Sequence, residues 1–147
     1  MEIPQELLIE AINDTFTHNK LYLFKNKQYE QNSPSHFHIA LKTKEDAYVV
    51  LLIITSKVEK KRAYYKRLGE EFSKGLIEVN SKDINILTKE SCIDCNEPLY
   101  YSKEAIKVLA KDFRIVTNFS INQNLKSILI NAIKESPLVK PIVANAL

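Results

Sequence analysis

Residues 36–42, HFHIALK, and residues 47–55, AYVVLLIIT, decide how this chain folds. In the first stretch Phe37, Ile39 and Leu41 alternate with His36, His38, Ala40 and Lys42. That is the period of a strand with two unlike faces. The second stretch is rich in β-branched residues and almost wholly apolar, as a strand covered on both faces would be. With Thr43–Asp46 as a polar turn, the two predict an antiparallel hairpin. His36 then faces Ile53, His38 faces Leu51, and Thr55 faces Pro34, diagonal to His36 on the same side of the sheet. Diagonal neighbours lie about 7–8 Å apart, close enough for their side chains to converge on one phosphate.

The residues on that face suit the transesterification of RNA. A ribose 2′-hydroxyl attacking the adjacent phosphate needs a base, an acid and positive charge around the phosphorane. Histidine titrates near neutral pH and serves as either acid or base, so His36 and His38 are the candidates for proton transfer. Thr55, followed by Ser56, ends the apolar strand and offers a hydroxyl to a phosphate oxygen. Lys57 and Arg62 could stabilise the developing charge.

From Lys57 to Arg67 the chain carries Lys57, Lys60, Lys61, Arg62, Lys66 and Arg67 against one acid, Glu59, with Tyr64 and Tyr65 among them. Cations for phosphates and rings for unpaired bases form the combination that single-stranded RNA binding uses. A solvated charged loop is the alternative reading.

The rest of the chain bounds these possibilities. At 147 residues, 27% charged and 45% hydrophobic, it fits one domain with a core of its own and no need of metal or disulfide support. The formal charge of +3 does not by itself demand a nucleic acid. The opening MEIPQELLIEAIND lacks the basic segment of a signal peptide, and no apolar run approaches the length of a membrane span. The expectation is a cytoplasmic protein with no membrane partner. Cys92 and Cys95 form one CxxC without a second pair. His36 and His38 could complete a Cys2His2 set only in an unusual order, so two reduced thiols and neither metal nor cofactor are expected.

Outward from the hairpin, residues 3–14 have the apolar spacing of a helix with Pro4 near its start, and Leu21–Leu23 suggest a first strand. Residues 57–75, which hold both glycines, read as a loop with at most a helical turn. LIEVN (76–80) and INILTKESCI (84–93) read as strands, Ser102 to about Lys111 as a helix, and FRIV (113–116) as another strand. Ser120 and Gln123 have capping-box spacing ahead of a helix to Glu135, and Pro141 interrupts a last short helix. This is an α+β arrangement, an antiparallel sheet or barrel with helices at its ends.

The pattern HFHIAL, YVVLLIITSK, a basic loop, then ESCIDCNEPLYYSKEAI resembles the divergent PemK/MazF-like toxins over about residues 21–106. The resemblance implies a small antiparallel SH3-like barrel over about 21–116, with an N-terminal helix and a C-terminal helical extension over about 120–147. It implies a metal-independent endoribonuclease of a toxin–antitoxin system, with single-stranded RNA as substrate, an antitoxin as partner, and a homodimer. Thr55 and Ser56 match the family's active-site Thr-Ser. His36 stands where its arginine is expected, and because histidine can move protons at neutral pH and arginine cannot, the roles within the site would be redistributed. The competing expectation is a non-catalytic SH3-like module that binds RNA or protein through the same basic stretch. A two-histidine phosphoesterase is excluded, because it needs two His-x-Thr/Ser motifs and here His38 occupies the hydroxyl position.

Overall fold

The computed structural model describes residue 7, residues 12–26 and residues 34–147. Most of the helix expected over residues 3–14 lies outside them, and Ile12–Asp14 are not helical. The first helix described is instead α1 (Thr15–His18), capped by Asp14, whose carboxylate accepts from the backbone N–H of Phe16 and Thr17 at 3.0 and 3.1 Å. The other Asp14 oxygen accepts from the N–H of Lys42 at 3.0 Å. One buried acid thereby joins α1 to the sheet.

Strands β1 (Leu21–Asn26), β2 (His36–Lys42) and β3 (Tyr48–Thr55) lie side by side and antiparallel. After β3 come α2 (Val58–Leu68), α3 (Glu70–Ser73), β4 (Leu76–Val79), β5 (Ser91–Asp94) and β6 (Leu99–Ser102). The chain ends with α4 (Lys103–Leu109), β7 (Ala110–Val116), α5 (Leu125–Glu135) and α6 (Pro141–Ala146). The sheet order is β4-β5-β3-β2-β1-β7, with β6 also on β3. Its ladders end at β4 and β7, so among the described residues this is an open seven-stranded antiparallel sheet and not the closed barrel expected.

The central hairpin forms with a different register. His38 faces Ile53 and Ala40 faces Leu51, two residues along from the expected pairs. The connection is longer than a four-residue turn and is held by the Thr43 hydroxyl, which reaches the carbonyl oxygens of Glu45 and Tyr48 at 2.8 and 3.0 Å. A slip of two residues keeps every side chain on its expected face, whereas a slip of one would invert them all.

Both faces are covered. Ile39, Leu41, Val50, Leu52 and Ile54 pack with Leu125, Leu129 and Ile133 of α5 and Val143 of α6. Tyr22, Phe24, Ala40, Val49 and Leu51 pack on the other side with Ile106 of α4 and Phe113 of β7. Leu129 and Ile133 are fully buried, each contributing about 1.5–3 kcal/mol by leaving water.

Several local expectations give way to specific contacts. Residues 84–90 form no regular strand apart from an isolated bridge of Ile84 to Ile121. The capping box does not form, because the Ser120 N–H donates to the Asn85 side chain and α5 begins only at Leu125. Ser102 does cap α4, accepting from the Ala105 N–H at 3.1 Å, and the helix stops at Leu109, where Ala110 joins β7. Pro141 opens α6 instead of interrupting it, since the first turn of a helix needs no N–H from that position.

Candidate functional site

Residues 57–68 are the largest departure from expectation, and they build the site. Val58–Leu68 form a helix of 11 residues rather than a loop. Val58 and Tyr65, seven apart, turn inward and are buried. That anchors the helix across the sheet and gives a different face to Lys57, Lys60, Lys61 and Tyr64, whose spacing is that of one helical stripe. All four line a single pocket of about 470 Å³.

The opposite wall is the sheet. Phe37 pairs with Ile54, so His36 is next in line with Thr55 across the strands. Thr55 in turn pairs with Cys92, and Cys92 with Glu78. His36 and Thr55 both line the pocket, together with Ile53, Asp94, Glu97 and Leu99. Directly opposite residues have Cβ atoms about 4.5–5.5 Å apart, closer than the diagonal arrangement expected from sequence.

The Thr55 hydroxyl accepts from the Lys57 N–H at 3.2 Å, which turns the chain from β3 into α2 and leaves the hydroxyl proton available to a ligand. Among the described residues no side chain caps the N-terminus of α2, so the positive end of the helix dipole adds to the potential around Lys57 and Lys60. His36 titrates below the ordinary histidine value. Burial is the main cause, and the charges of Lys57 and Lys61 act in the same sense, against a backbone hydrogen bond to Pro34. Its imidazole is therefore neutral at pH 7 and able to accept a proton.

The acidic wall arises where the strand beside β3 is interrupted. β5 pairs with Ile54 and Thr55, β6 pairs with Tyr48–Leu51, and residues 95–98 bulge out between them. Bulges of this kind re-aim side chains and are common beside sites. Asp94 is buried and accepts from Lys61 at 3.0 Å, from the Tyr65 hydroxyl at 2.6 Å and from the Asn96 N–H at 3.0 Å. Burial opposes the Lys61 ammonium, but the Asp94 charge and hydrogen bond outweigh it, and the net shift is upward. Lys61 therefore stays charged and held in place, whereas Lys57 and Lys60 make no ion pair among the described residues.

Several expected site residues stand elsewhere. His38 is 1% exposed and does not reach the pocket. It stacks on Phe24 with centroids 3.8 Å apart, and its Nδ1 lies 3.3 Å from the Tyr22 carbonyl oxygen. Ser56 lines a neighbouring depression instead, bordered by Lys57, Lys60 and Arg62 as well as by Glu59, Glu78 and Glu90. Tyr65 is buried against Asp94 and offers no ring to a base. Arg62 pairs with Glu59 and Glu78. Lys66 faces a separate groove beside Glu70 and Glu71, and Arg67 is exposed outside the pocket. Of the stretch from Lys57 to Arg67, only Lys57, Lys60, Lys61 and Tyr64 reach the pocket.

Asp94, Glu97, Leu99 and Ile53 were not expected at the site. The first three lie in or beside SCIDCNEP, where the cysteines draw attention away from the acids between and after them. Cys92 and Cys95 are both buried free thiols. No group of three or more metal-ligating side chains forms among the described residues, and no helix among them is long and apolar enough to cross a membrane.

Compared with family models, with curated proteins and with solved structures, the chain matches none. The likeness to PemK/MazF-like toxins rests on the short motifs alone.

Proposed function

We propose that this pocket binds single-stranded RNA and cleaves it by attack of the 2′-hydroxyl on the adjacent phosphate. The observation that carries the reading is the neutral imidazole of His36 set beside Thr55 and facing the lysine stripe of α2. His36 takes the 2′-hydroxyl proton as the O2′–P bond forms. The Thr55 hydroxyl, Lys57 and Lys61 stabilise the phosphorane charge. In-line displacement puts the leaving 5′-oxygen away from His36, and Lys60 of α2 gives it a proton as the P–O5′ bond breaks. The products are a 2′,3′-cyclic phosphate and a 5′-hydroxyl, and solvent resets both groups.

The toxin reading belongs to this proposal. It adds an acidic antitoxin covering the lysine stripe, and it adds a homodimer. The SH3-like relationship is proposed at the level of the β1–β2–β3–β5 ladder, with Thr55 at the end of its central strand.

The test is purified protein and unstructured RNA in EDTA, with product ends mapped. Removing a positioned acid–base group costs about 10²–10⁴-fold in rate, so His36→Ala should nearly silence cleavage. Because the base must be unprotonated, kcat/KM should rise with pH through a pKa below 6.5 and level off above it. Undiminished cleavage by His36→Ala removes His36 from the mechanism. Binding by the wild type without cleavage of any RNA would establish the non-catalytic module instead.

A further inference from the structure

The pocket has lining residues that phosphate chemistry does not use. Seven residues of helix place Tyr64 about 10 Å along the axis from Lys57, and Ile53 lies two residues back along β3 from Thr55. Both still line the same cavity, with Leu99 beside them, so α2 folds back over the strand. The pocket thus brings lysines and a helix N-terminus together with an aromatic ring and two aliphatic side chains. Tyr64 is 39% exposed, its ring at 72° to that of the buried Tyr65 with centroids 5.0 Å apart. A flat, apolar-faced group joined to an anion fits this lining, and a nucleotide is such a molecule.

Of the two carboxylates that line the pocket, Glu97 is the exposed one, and its charge is felt by Lys61. Unlike Asp94, it forms no hydrogen bond or salt bridge among the described residues. Its backbone is fixed all the same. The Asn96 side chain donates to the Phe72 carbonyl oxygen at 2.7 Å and accepts from the Ser136 hydroxyl at 2.6 Å, and the Cys95 N–H donates to the Gly75 carbonyl oxygen at 2.8 Å. A fixed bulge therefore presents to the pocket that Tyr64 lines a carboxylate with no hydrogen bond among the described residues.

We propose that this pocket selects guanine, with the base stacked on Tyr64 and its N1–H and N2–H donating to the two oxygens of Glu97. Among the four RNA bases only guanine offers two adjacent donors on its Watson–Crick edge, matching the bidentate acceptance of a carboxylate. Adenine and cytosine set one amino group beside a bare ring nitrogen, and uracil flanks one N–H with two carbonyls. Each of those alternatives turns a lone pair toward the negative charge of Glu97.

This rests on the RNA-cleaving reading of the same pocket, and it is tested apart from cleavage. Full-length protein is titrated with 3′-GMP, 3′-AMP, 3′-CMP and 3′-UMP at pH 7.5, with binding followed by NMR shifts or calorimetry. The expected result is 3′-GMP binding at least about tenfold more tightly than the other three, the discrimination typical of a bidentate contact. Glu97→Gln should erase that preference, since an amide carries only one acceptor oxygen. Lys60→Ala should weaken all four nucleotides alike. Affinities within about twofold of one another, no binding of any nucleotide, or a guanine preference that survives Glu97→Gln would each overturn the proposal. RNA cleaved without base preference would also sink it while leaving the nuclease standing. A guanine preference without cleavage would do the reverse.

Discussion

His38 gives the sharpest test of the packing. Its Nδ1 faces the Tyr22 carbonyl oxygen, which can only accept, so the proton sits on Nδ1 and Nε2 is left as a buried atom with no hydrogen-bond partner among the described residues. Protonating Nε2 would create a cation inside the sheet, stacked on Phe24. Burial accordingly pushes the pKa from 6.5 down to about 4, against small opposing effects of backbone hydrogen bonds to Tyr22 and His36. In the unfolded chain the group titrates near 6.5, so between those values the unfolded state binds more protons and acid favours it. The stabilisation is fully present above pH 6.5 and is lost as pH falls toward 4. At ~1.36 kcal/mol per pH unit the whole effect is about 3 kcal/mol, with about 2 kcal/mol of it gone by pH 5. Urea unfolding at pH 7.5 and pH 5 should show the midpoint falling by roughly 1 M. His38→Phe keeps the ring and the stacking, should change stability at pH 7.5 by less than about 1.5 kcal/mol, and should lose most of the acid sensitivity. His36, shifted in the same direction, leaves a smaller slope behind. Equal losses between pH 7.5 and 5 in wild type and His38→Phe would refute the argument.

Two further outcomes follow from the bulge and its surroundings. A Cβ built on Gly75 falls 2.1 Å from the Asn96 side-chain oxygen, which is pinned by Ser136. Gly75→Ala should therefore cost about 1–3 kcal/mol of stability, read by urea unfolding, and an unchanged midpoint would show that Asn96 is free to move. Cys92 titrates at about 11, chiefly through burial and then the Asp94 charge, and burial pushes Cys95 further up. Both thiols should resist a disulfide reagent at pH 8 in the folded chain and react fully in denaturant, whereas rapid reaction without denaturant would contradict their burial.

What the sequence made legible was what one strand can say about itself. The alternation of HFHIALK and the apolar run to Thr55 are local signals, so the hairpin and the facing of His36 could be read directly. Register could not, because it depends on a hydroxyl bridging Thr43 to Tyr48. The helix over 58–68 was missed for a different reason. Its apolar stripe is only Val58 and Tyr65, too thin for a periodicity argument, and its stability comes from where those two side chains land. Tyr65 lands on Asp94, and that single contact reverses the reading of two residues. It takes a tyrosine out of the set of base-stacking candidates and turns an unremarked acid into the group that orients Lys61. With Tyr65 turned inward the helix presents Tyr64 to the pocket, its ring packed at 72° to that of Tyr65. The lysines at positions 57, 60 and 61 are thus selected from a longer basic run by a buried hydroxyl–carboxylate pair. A charge run carries no information about which of its members face a site until one apolar or hydrogen-bonded residue fixes the rotation of the helix.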